Sequence, residues 1–148
     1  MYAASDGVWP IFFAVVDRTR VGSLLNACFT HLDGDDSTFY FFSIEQSALD
    51  AQPWRAGTVY VLPRRSFVPQ PPMSIGGRRV QVQQWASAEA VRPLARLPVT
   101  PADFPLLDSV LPHDPAHVRE RSARDPHGFP WLDEPAWPNR SAAVSTGC

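Results

Sequence analysis

Lysine is absent from this sequence. All of its basic residues are arginine, thirteen in 148, which excludes every chemistry that needs a lysine of this chain: Schiff bases, the phosphate-loop lysine, the kinase strand lysine. Cysteine is almost as scarce. Cys28 and Cys148 are the two present, so no disulfide framework is expected, and Cys28 reads as a small core hydrophobe on a helix. No apolar run approaches the roughly 18 residues that a membrane-crossing helix needs. Residues 1–6 carry no basic residue ahead of the apolar run 8–16, which is not the pattern of a secretory signal. A cytoplasmic protein without a membrane partner is therefore expected. A surplus of positive charge is missing too: the net charge of -2 gives no general pull towards nucleic acid, so any anion site must be local.

What the sequence does contain is enough apolar residue for one core. At 45% apolar and 19% charged it has a globular balance, and a chain of this length folds as one domain without staples. The stretch 54–85 organises it. Gly57-Thr58-Val59-Tyr60-Val61-Leu62, closed by Pro63, reads as a buried strand. Met73-Ser74-Ile75 and the run 78–85 flank Gly76-Gly77, a pair suited to the positive φ of a two-residue hairpin.

Earlier in the chain, the run 8–16 predicts a strand covered on both faces, with Pro10 near its start or on an edge. Asp17 then caps a predicted helix over 17–32, in which Val21, Leu24, Leu25, Cys28, Phe29 and Leu32 share a face. Residues 38–44 predict a second strand and 45–51 a short helix. Later, the prolines of 91–99 permit an edge strand only, and Thr100-Pro101-Ala102-Asp103 opens a short helix to about 111. From residue 112 periodicity stops. The expected fold is α+β: a mixed, mainly antiparallel, bent sheet of five to six strands, one main helix and an irregular C-terminal wrap. Residues 1–111 form the domain. Residues 112–148 form a Pro- and Arg-rich extended tail, with Phe129, Trp131 and Trp137 pinned to the domain and a disordered end from 141.

Several chemistries fail on spacing. Counted from Asp33, the acidic loop with Asp35 and Asp36 places Thr38 and Ile44 where a calcium loop needs Gly and a carboxylate. His113 and His117 are four apart, but Pro115 stands between them and no third ligand has a recognisable spacing, so no metal is expected. No serine has the Gly-x-Ser-x-Gly setting of a nucleophile. The arginine pairs are more suggestive. Arg64-Arg65 follow the strand at 57–62 and Arg78-Arg79 follow the hairpin turn; with Tyr40, Tyr60 and Trp85 they supply guanidinium forks for phosphate and rings for a base. If these residues converge, they outline a nucleotide pocket. If they are solvated strand ends and core rings, they scatter.

Trp9-Pro10-Ile11-Phe12-Phe13-Ala14, a following helix, Gly57-Thr58-Val59-Tyr60-Val61, and Gln84-Trp85-Ala86-Ser87 with Val91-Arg92-Pro93-Leu94 form, in that order, a succession over residues 8–111. It resembles uncharacterised bacterial proteins of the ADP-ribosyltransferase-like type. The resemblance implies a split, bent sheet that grips NAD in a cleft and transfers ADP-ribose, or a catalytically degenerate relative that only binds nucleotide. It also marks two departures. Active members carry His or Arg on a strand ahead of the Phe-Ala strand, where this chain has residues 1–7 without either. They carry a late catalytic Glu, where this chain reads Gln81 to Ser87, leaving Glu89, the one acid between Asp50 and Asp103, as catalytic candidate. The alternative expectation is a non-enzymatic interaction module, toxin-associated or immunity-type, that binds a protein partner through its aromatic, Pro-rich tail. RNA binding would use the same arginines but lacks a basic face.

Overall fold

A computed structural model describes residues 1–34, 37–75 and 77–131. The fold is α+β, and its centre is a five-stranded sheet in the order β10-β3-β2-β7-β6. Its strands are β2 (Leu24–His31), β3 (Thr38–Glu45), β6 (Met73–Ile75), β7 (Arg78–Val82) and β10 (Leu111–His113). Among the described residues of this sheet, only the β3–β10 pairing is parallel. The sheet is thus mixed and mainly antiparallel, as expected. A three-stranded sheet, β1-β8-β5, is built from β1 (Tyr2–Ala4), β5 (Val68–Pro69) and β8 (Gln84–Ala86), and β4 (Gly57–Val61) pairs with β9 (Ala95–Val99) in a separate ribbon.

Alternation along the two central strands divides the core. Tyr40, Phe42 and Ile44 of β3 face one side, where helix α1 (Val8–Val15) packs Phe12 and Val15 against them together with Phe104, Leu106 and Val110. Phe39 and Phe41, with Ala27 and Phe29 of β2, face the other side and meet Val80, Val118, Phe129 and Trp131. With both faces covered, β2 and β3 carry apolar residues on both of their faces.

Two early expectations exchange places. Residues 8–15 are helix, not strand: the Asp6 carboxylate accepts the Trp9 N–H at 2.9 Å, and Pro10 stands in the first turn, where a missing N–H costs nothing. Residues 17–32 are not a helix. Asp17 does cap, but it caps a turn, accepting from the Thr19 N–H and hydroxyl at 3.1 and 2.7 Å. The chain then enters β2, whose two-sided burial repeats closely enough to imitate a helical stripe.

Later elements follow the expectations more closely, with exceptions. Strand β3 and the short helix α2 (Gln46–Asp50) lie where expected, as does the β6–β7 hairpin, with Gly77 at φ +77°. The strand at 57–61 exists but is mostly exposed rather than buried. Residues 101–109 form two 3-10 turns in place of one helix. Beyond 112 the chain is not simply extended. Helix α3 (Pro115–Arg124) starts from Asp114, whose carboxylate accepts the Ala116 N–H at 2.8 Å, and β10 spans the expected domain boundary. Asp35, Asp36, Gly76, Trp137 and the stretch beyond 141 lie outside the described residues.

One run of backbone serves two sheets. Residues 78–82 pair with β2 and β6, then 84–86 pair with β1 and β5. Gln83 joins them: its N–H donates to the Cys28 carbonyl at 3.0 Å, and its carbonyl accepts from the Ser5 N–H at 3.2 Å.

Candidate functional site

The expected pocket residues fall on three sheets. On the three-stranded sheet, the Arg64 guanidinium lies 4.7 Å from the centroid of the Trp85 ring. Arg64 and Arg65 form a 3-10 turn (Arg64–Ser66) between β4 and β5, closed by Phe67, whose N–H donates to the Arg64 carbonyl at 3.0 Å. Both arginines are exposed and Trp85 is half-buried. A guanidinium laid on an indole keeps its fork of N–H donors free for an anion while the ring restricts its motion. Glu89 stands four residues past Trp85, exposed on a tight turn in which its N–H donates to the Ser87 hydroxyl and its carbonyl accepts from it, both at 3.2 Å.

The other candidates lie elsewhere. Tyr60 is on the β4–β9 ribbon, opposite Arg96. Arg78 and Arg79 are exposed on β7 opposite Ile75 and Ser74. Tyr40 is turned towards the core face of β3, where its hydroxyl donates to Asp6 at 3.3 Å. Among the described residues, no ring, ion-pair or hydrogen-bond contact joins any two of these candidates other than Arg64 and Trp85.

Two polar clusters escaped the sequence reading. Asp6 accepts from Trp9, Tyr40 and the Cys28 thiol (3.5 Å), and the Trp9 indole N–H donates to Asn26 at 2.8 Å. Burial, and then the Asp6 charge, push both the Cys28 thiol and the Tyr40 phenol upward, so both stay protonated. Cys28 is buried as expected, but on a strand, and this thiol is not a nucleophile. Asp6 and Pro10 together were the legible sign of this cluster, because they mark a helix start that brings Trp9 over β2.

The second cluster is buried at the β3–β10 junction. His113 holds Ser43 Oγ at 2.8 Å through Nδ1 and Ser23 Oγ at 2.8 Å through Nε2, and Ser43 donates its own proton to the Leu111 carbonyl at 2.9 Å. Ser43 must therefore accept from Nδ1–H, and Nε2 of the neutral ring accepts from Ser23. Both ring nitrogens of His113 are thereby engaged within the protein, and the nearby Glu45 carboxylate accepts the Gly22 N–H at 2.6 Å. Burial lowers the His113 pKa against the opposing charges of Glu45 and Asp114. His113 and His117 were visible as a pair in the sequence, but they belong to different elements, β10 and α3.

Among the described residues, no group of three or more His, Cys, Asp or Glu side chains is arranged to hold a metal ion, and no helix is long and apolar enough to cross a membrane. Compared with protein-family models, with curated proteins and with solved structures, the chain matches none.

Proposed function

We propose that the protein binds a nucleotide bearing a pyrophosphate, with NAD and ADP-ribose as the first ligands to test, on the three-stranded sheet at Arg64 and Trp85. The observation that carries this reading is the guanidinium held 4.7 Å from the indole centroid. Arg65 beside it adds a second fork, and the stretch from 51 to 88 contains no acid to compete for either. The resemblance of residues 8–111 to ADP-ribosyltransferase-like proteins points to the same ligand class. Glu89 lies within about 14 Å of chain from Trp85. It is the carboxylate assigned to any transfer step, in which the nicotinamide–ribose bond breaks, an acceptor attacks the ribose carbon, and charge on the sugar is stabilised.

Calorimetry with ADP-ribose and NAD tests the reading. Replacing Arg64 and Arg65 together by alanine removes charge-assisted bonds worth about 1.5–3 kcal/mol each, so affinity falls by tenfold or more, and Trp85→Ala weakens binding in the same direction. Glu89→Gln leaves affinity intact and lowers turnover of NAD. No heat of binding with either ligand at millimolar concentration would sink the reading.

A further inference from the structure

The β4–β9 ribbon has one open edge and one blocked edge. Its register sets Thr58 opposite Pro98 and Tyr60 opposite Arg96. Pro98 has no N–H to give, so the ladder bonds run through the alternate pairs, Gly57 with Val99, Val59 with Leu97 and Val61 with Ala95. Thr58 and Tyr60 consequently turn their N–H and carbonyl groups to the far side of β4. Neither makes a backbone bond there among the described residues. Along β9, the same proline blunts the outer edge, as prolines do where strands must not add. Just before β4 the same edge is taken, because the Arg55 backbone N–H donates to the Val15 carbonyl at 2.8 Å.

The ribbon is also apolar and basic together. Tyr60, Val61, Leu94 and Leu97 are 52%, 40%, 71% and 50% exposed. An open depression of about 330 Å³ is lined by Tyr60, Arg96, Pro93, Leu94 and Ala95. Between residues 51 and 102 the chain carries seven arginines against one acid, Glu89. Arg55, Arg92 and Arg96, on or beside the ribbon, are exposed and make no ion pair among the described residues.

We propose that the open edge of β4 receives an extended segment of a partner protein in which acidic and apolar residues alternate. Added as a third strand, the segment bonds to the Thr58 and Tyr60 main chain. The acidic side chains share the face of Tyr60 and Arg96; the apolar ones continue the face of Val61 and Leu97. Arg96 is two strand spacings away, about 10 Å, a span that its side chain and a glutamate close together. A second copy of this chain is a poor occupant, because its own β4, Gly57–Val61, brings no acidic residue to Arg96.

The probe is a fluorescent acetylated hexapeptide, Glu-Val repeated three times, titrated with the full chain and followed by anisotropy; a Lys-Val hexapeptide serves as control. The Glu-Val peptide is expected to bind, the Lys-Val peptide not, and added salt to weaken the complex. Arg96→Glu lies on the surface and weakens binding about tenfold or more. Thr58→Pro takes away an edge N–H that the ladder does not use, so it abolishes binding while the thermal midpoint stays near that of the unaltered protein. Equal affinity for the two peptides, or indifference to both substitutions, overturns the proposal. Sedimentation showing a dimer that Thr58→Pro dissolves overturns it in favour of self-association.

Discussion

His113 is where acid is felt. Its imidazole is neutral between two serine hydroxyls, and burial holds its pKa below the ordinary 6.5. The unfolded chain therefore binds a proton at a higher pH than the folded one. Stability rises with pH across the window from the lowered value up to 6.5, and is lost as pH falls through that window. Thermal midpoints measured from pH 7.5 to 5 should drop, and His113→Asn should flatten that slope while lowering the midpoint at pH 7.5; an unchanged slope would place the titrating group elsewhere. The sequence displayed His113 but not its partners. Ser23 and Ser43 are 90 and 70 residues away, and two long-range pairings, β10 with β3 and β3 with β2, bring them together. Nothing local to a histidine or a serine encodes such a contact.

Elements were legible where one competing pattern was excluded. Strand β3, dense in aromatics, and the Gly-Gly hairpin had no helical alternative. Segments 8–16 and 17–32 each had two readings, since a short apolar run buried on all sides suits either element. The deciding signs were punctuation: Asp6 with Pro10 opens a helix, and Gly22-Ser23 breaks the supposed helix just where β2 begins. The correct assignment makes Phe12 the keystone of one core face, fully buried against Phe42 and Phe104 with ring centroids at 4.4 and 5.6 Å. Phe12→Ala should cost about 3–5 kcal/mol in chemical denaturation. Gly57→Ala should also destabilise, because a Cβ there runs into the backbone of Ala14. That clash acts through the approach of α1 to β4, so the same change at Gly7, which faces open space, should be nearly silent.

At the scale of the molecule, the succession of predicted strands and helices indicated α+β and one mixed, mainly antiparallel sheet, whereas the division into three sheets was not visible. Sheet membership depends on long-range pairing, and the run 78–85 read as one strand because it is one length of extended backbone. The C-terminal aromatics complete the second core: Trp131 is buried, its indole N–H donates to the Asp125 carbonyl at 3.0 Å, and Phe129 meets the Phe41 ring edge-on at 5.9 Å. Truncation after Asp125 should uncover Phe41 and Val80, and light scattering should report association of the shortened protein; a monodisperse monomer would mean that this face closes without them. The shared run has a kinetic consequence. Val80 and Val82 are stitched to β2 on the same length of backbone that carries Trp85, so the two sheets cannot open independently at Gln83. Amide hydrogens on opposite sides of that residue should exchange with solvent at matched rates, as one cooperative unit. A ligand gripped at Trp85 should then slow exchange at Val80, a residue it never touches.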